Sequence, residues 1–97
     1  MRLFKHKDID AQFVKLGFKK VKEDNFGVRY ERYNIKYKYV QVIAILYKLS
    51  GRHIVQSYDK DLQDSAGIGN TCVGLTAHEM QLCIQKMKQL GWKITKD

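Results

Sequence analysis

Apolar residues change their spacing twice along the chain. Ile9, Phe13 and Leu16 fall at i, i+4 and i+7, which puts them on one face of a helix, with Asp8 placed to cap its start and Gly17 to end it. From Phe18 the helical spacing gives way to β-branched and aromatic residues: Val21, Val28, Tyr30, Tyr33, Ile35, Tyr37, Tyr39 and Val40. That composition predicts strands near 18–23, 28–34, 38–48 and 53–58. Turns are expected at Asp24-Asn25-Phe26-Gly27, around 34–36 and at Leu49-Ser50-Gly51-Arg52. Connections this short join antiparallel neighbours, so the strands should form a meander in sequence order. The 17 residues of 59–75 carry no clear period. Thr76 and Glu79 then form a T-x-x-E capping box, and Met80, Cys83, Ile84, Met87 and Leu90 make an apolar stripe that Gly91 ends. The expected fold is α+β in the order α-β-β-β-β-α. It is a four-stranded antiparallel sheet with a short N-terminal helix and a C-terminal helix packed on one face, in a single domain covering 1–97.

The third strand is apolar on both parities. One carries Val40, Val42, Ala44 and Leu46, the other Tyr39, Gln41, Ile43, Ile45 and Tyr47. At about 3.3 Å per residue its 11 residues would reach roughly 36 Å, so a bulge or bend is expected. If both helices share one sheet face, the other is open, and Tyr39, Ile43, Ile45 and Tyr47 become a contact surface for a homodimer or a protein partner. In a competing arrangement the N-terminal helix covers that face. On the terminal helix, Ile84→Ala should cost about 2–5 kcal/mol if its stripe packs on the sheet.

Charge adds a second theme. The formal net charge is +8, and residues 1–58 carry all of it. Such asymmetry favours a polyanionic partner, with a well-solvated basic surface as the alternative. Arg29, Tyr30, Arg32, Lys36, Lys38, Tyr39, Lys48 and Arg52 interleave cations with rings, the combination that stacks bases and neutralises phosphates in nucleic-acid binders. Tyrosine also suits half-exposed strands, and lysine protects sheet edges. No run of about 20 apolar residues is present, and residues 1–10 alternate charge with apolar side chains, so no membrane contact and a cytoplasmic location are expected. In that compartment Cys72 and Cys83 stay reduced.

Chemical motifs are near-misses. His78-Glu79 lacks the second histidine of a zinc helix, because Leu82 stands there. Gly69-Asn70-Thr71-Cys72-Val73-Gly74-Leu75-Thr76 has the glycines and threonine of a phosphate loop, but Leu75 replaces the lysine. Asp59, Asp61 and Asp64 miss calcium-loop spacing, and His6 and His53 lack partners at ligand spacing. The reading is therefore a non-enzymatic binding module without metal or cofactor. Nucleic acid is the first partner class, a protein or second copy the next, and an enzyme using the 59–75 loop the third.

Gly17-Phe18-Lys19-Lys20-Val21, Gly27-Val28-Arg29-Tyr30-Glu31-Arg32 and Gln56-Ser57-Tyr58, with Gly74-Leu75-Thr76 and the closing K-x-L-G-W, carry a family resemblance. Over most of its length the chain resembles small phage or prophage proteins of Gram-positive bacteria. The resemblance implies a phage-derived cytoplasmic protein and assigns no activity to any residue.

Overall fold

Strand order follows the chain, β1-β2-β3-β4, with every neighbouring pair antiparallel. The structure, a computed structural model, describes residues 8–62 and 72–95. Its elements are α1 (Ile9–Lys15), β1 (Lys19–Asp24), β2 (Gly27–Asn34), β3 (Tyr39–Leu46), β4 (Ile54–Asp59) and α2 (Ala77–Gln89). The α+β class and the element order are those expected. Of the 59–75 connection, residues 63–71 lie outside the described residues, and with them Asp64 and Gly69-Asn70-Thr71; so does His6. The chain rejoins β4 through a bridge between Tyr58 and Cys72 and the Val73 N–H on the Ser57 carbonyl at 2.9 Å.

Both helices begin and end by the same local chemistry. The Asp8 carboxylate accepts the Ala11 N–H at 3.1 Å, and Thr76 and Glu79 close their capping box through two 3.0 Å bonds. At the other ends Gly17 and Gly91 take φ of +94° and +77°. Their N–H groups bond Val14 and Lys88, while those of Phe18 and Trp92 reach back to Phe13 and Met87. This is the Schellman pattern. Each motif turns an aromatic ring onto the core: Phe18 meets Phe13 edge-on at 5.7 Å, and Trp92 packs at the core's margin.

The core lies between the helices and one sheet face. Ile9, Phe13 and Phe18 meet Val28, Tyr30, Ile43 and Ile45 from the sheet and Leu82, Cys83 and Met87 from α2. Register places Val28 opposite Ile45 and Tyr30 opposite Ile43, so this parity of β2 and β3 faces the helices. Ile43 and Ile45 are fully buried there. That corrects the contact surface expected on Tyr39, Ile43, Ile45 and Tyr47: α1 and α2 share this face, which belongs to the core. The opposite face, which carries no helix among the described residues and is called the helix-free face below, bears Val40, Val42, Ala44 and Leu46, of which Val42 and Ala44 are buried.

Two further expectations change. The irregularity falls in β1, where the register shifts between Lys20 and Lys22, and β3 pairs without a break over eight residues. On α2 the buried positions are Glu79, Leu82, Cys83, Lys86 and Met87, whereas Ile84 is 40% and Met80 39% exposed. The helix is rotated from its purely apolar stripe, and charged partners on the sheet and on α1 meet the buried Glu79 and Lys86.

Candidate nucleic-acid interface

Six charged side chains on the helix side of the sheet, Asp10, Lys20, Glu23, Arg32, Glu79 and Lys86, neutralise one another in two clusters. In the first, Lys86 on α2 reaches Asp10 on α1 at 3.1 Å and Glu23 on β1 at 3.0 Å. Lys20 reaches the same two carboxylates at 2.8 and 3.1 Å, and the Tyr30 hydroxyl donates to Asp10. Burial pushes the Asp10 carboxyl up, but the bonds from Lys20, Tyr30 and Lys86 outweigh it and hold it at about 2. The bond from Lys86 likewise lowers Glu23, and burial raises the Tyr30 hydroxyl. In the second cluster, Arg32 lies over the Phe18 ring and bonds the Leu16 carbonyl at 3.0 Å, Gln41 at 2.7 Å and Glu79 at 3.2 Å. Gln41 passes the chain on to Ser57 at 2.9 Å. Among the described residues no buried side-chain nitrogen or oxygen lacks a partner. These clusters bind the elements together, and in the core burial pushes the Cys83 thiol up to about 12.

The eight residues expected to bind nucleic acid are not brought together. Tyr30 is fully buried and stacked on Phe13 at 4.0 Å, so its ring meets no base. Arg32 is spent on Glu79, and Tyr39 is half-buried on the helix-side parity. Lys48 and Arg52 lie at the opposite end of the sheet. There the Lys48 N–H donates to His53 Nδ1 at 2.9 Å, which leaves Nε2 to donate to the Lys93 carbonyl at 2.9 Å. Tyr47 packs on His53 and Trp92 at 5.0 and 5.1 Å, a structural role in place of the expected interface. Arg29, Lys36 and Lys38 remain on the surface.

Of these three, Arg29 lies on the sheet face opposite the helices, and Lys36 and Lys38 lie in the β2–β3 turn. On the helix-free face, register aligns Lys19 with Glu31 and Lys22 with Arg29. Lys19, Arg29, Lys36 and Lys38 make no ion pair among the described residues, while Lys22 meets Asp24 at 3.5 Å and Lys60 meets Glu31 at 3.4 Å. A depression of about 120 Å³ lies between Lys22, Phe26, Arg29 and Ala44. Tyr33 shares this face beside Val40 and is 58% exposed. No Asp or Glu occurs in residues 32–58, so nothing in the β2–β3 turn offsets Lys36 and Lys38. Lys19 and Lys22 were missed by sequence reasoning, whereas Tyr33 belongs to the run of cations and rings that the sequence shows; the acid-free run was a further signal that could have drawn attention to the turn.

Among the described residues no helix is long and apolar enough to cross a membrane, and no three of His, Cys, Asp and Glu gather as metal ligands. His78 and Glu79 are separated by exposure, the one on the surface and the other buried. Compared with known protein families, curated proteins and solved structures, the chain matches none, and nothing there bears on the phage resemblance.

Proposed function

We propose that this chain is a non-enzymatic, cytoplasmic binding module whose partner is nucleic acid, engaged by the helix-free sheet face and the β2–β3 turn that extends it. The partition of charge supports the reading. Asp10, Glu23 and Glu79 on the helix side are taken up by Lys20, Lys86 and Arg32, whereas Lys19, Arg29, Lys36 and Lys38, like the helix-side Lys15 and Lys88, have no acidic partner among the described residues; what distinguishes the first four is that they lie along one sheet face and the turn that extends it. A phosphate chain along that face supplies the missing anions and releases its counterions. The test is binding of labelled nucleic acid as a function of salt. Affinity should fall linearly on log–log axes, and Lys19→Glu with Arg29→Glu should weaken it at least tenfold. The same reversals at the exposed helix-side Lys15 and Lys88 should have little effect. No binding at low salt, or equal effects from both pairs, rejects the reading.

A second reading, contact with a protein or a second copy, rests on the far end of the sheet. Phe26 and Leu49 stand exposed there in neighbouring turns, next to Ile54. A dimer in sedimentation equilibrium that Phe26→Ser with Leu49→Ser converts to a folded monomer supports it, and a wild-type monomer at high concentration removes the self-association.

A further inference from the structure

The three strand ladders have unequal reach. The β1–β2 ladder stops at Lys19 opposite Glu31, and the β3–β4 ladder stops at Gln41 opposite Asp59. The β2–β3 ladder continues through Tyr33 opposite Val40 and Asn34 opposite Tyr39 before its turn. These last two pairs have no described strand beside them, so among the described residues β2 and β3 leave the sheet as a two-stranded ribbon. Two pairs advance it by about 7 Å, and the four-residue turn adds to that. The turn is held in shape: the Asn34 carboxamide accepts the Tyr37 N–H at 3.0 Å, and the Asn34 carbonyl accepts the Lys38 N–H at 2.7 Å. Ile35 is 81% and Tyr37 67% exposed, and Lys36 lies over the Tyr37 ring at 5.2 Å.

We infer that this ribbon is a reading head for B-form DNA that enters the major groove. The inference rests on the nucleic-acid reading and specifies the form bound and the element that binds it. A major groove about 12 Å wide and 8.5 Å deep admits a two-stranded ribbon, and the projection here matches that depth. Ribbon chemistry fits as well. Lys36 and Lys38 face the phosphates or guanine edges, the Tyr33 and Tyr37 hydroxyls donate to phosphate oxygens, and Ile35 offers an apolar contact to a thymine methyl. Single strands need a run of exposed rings along the sheet, but Tyr30 is buried, Tyr39 is half-buried and Tyr47 is packed on His53 and Trp92, which leaves Tyr33 and Tyr37 as the exposed tyrosines, both on the ribbon itself. Double-stranded RNA has a deep, narrow major groove that such a ribbon cannot enter. An anionic membrane would also attract lysines beside Ile35 and Tyr37, and the experiment separates that source.

The probes are a DNA duplex, one of its single strands, an RNA duplex of equal length, and vesicles containing anionic phospholipid. Wild-type protein should bind the DNA duplex at least tenfold more tightly than the other nucleic acids. Methyl green, which occupies the major groove, should displace it, and netropsin in the minor groove should not. Replacing Ile35-Lys36-Tyr37-Lys38 by a two-residue Asn-Gly turn should lower duplex affinity more than tenfold with cooperative unfolding retained. Should that variant not fold, Lys36→Ser with Lys38→Ser carries the same test. Duplex binding that survives both changes, or that yields to netropsin, overturns the ribbon while leaving the nucleic-acid reading intact. Vesicle binding by the wild type that the ribbon variants lose, without any DNA binding, overturns both in favour of a lipid surface, and absence of all binding at low salt overturns both.

Discussion

Lys86 occupies a buried position on α2 that a hydrophobic residue would ordinarily fill, and it is tolerated because its ammonium meets two carboxylates and a glutamine side chain. Removing it leaves Asp10 and Glu23, side by side, to share Lys20 alone as a cation. Lys86→Ala should therefore cost about 3 kcal/mol in denaturant unfolding, against less than about 0.5 kcal/mol for Lys88→Ala on the exposed side of the same helix. The rotated helix reverses the expectation for Ile84. Leu82→Ala should cost about 2–5 kcal/mol, and Ile84→Ala less than about 1 kcal/mol. Asp10 gives the pH dependence its sign. Its folded value of about 2 lies below the ordinary 3.8, so its contribution is complete above that ordinary value and is lost as pH falls from there towards 2. Asp10→Asn should lower stability at neutral pH and flatten the decline across that acid window, as measured by thermal unfolding at a series of pH values.

At the scale of elements, two Schellman ends and one strained turn make separable expectations. Gly17→Ala and Gly91→Ala place a Cβ in the left-handed region, so each should cost about 1–2 kcal/mol. Gly17 should show the larger loss, because its new Cβ meets the Arg32 side chain at 3.2 Å while nothing lies within 4 Å at Gly91. Lys38 runs the other way. It holds φ of +56° without being glycine, and Lys38→Gly should relieve strain and stabilise the protein by up to about 1 kcal/mol. If the ribbon binds DNA, that more stable variant binds more weakly. A variant gaining both stability and affinity would show that Lys38 is there for neither reason.

Across the described residues, charge is divided between a set that joins the layers through ion pairs and an exposed set, Lys19, Arg29, Lys36 and Lys38, that makes none. Salt acts on the two differently, since screening is strong between solvent-exposed groups and weak for buried pairs. Raising monovalent salt from about 50 to about 500 mM should abolish nucleic-acid binding, in keeping with counterion release, and should move the melting temperature by only a few degrees. A parallel loss of fold and binding would mean that both charge sets lie equally open to solvent.

Sequence by itself determined whatever depends on neighbours along the chain. Asp8, Gly17, Thr76 with Glu79, and Gly91 set the helix ends, because caps and left-handed glycines act within a few residues. Short turns rich in Asn, Asp and Gly set the antiparallel order, and the strand boundaries fell within one to two residues of expectation. Tertiary structure alone decided which parity of β3 was core, because both parities are apolar and the choice follows from where α1 and α2 settle. It also decided that Tyr30 and Arg32 serve the interior, since their partners Asp10 and Glu79 lie 20 and 47 residues away. The ribbon arises in the same way: it is a difference in length between ladders, and ladder length is a property of paired strands that no single strand carries.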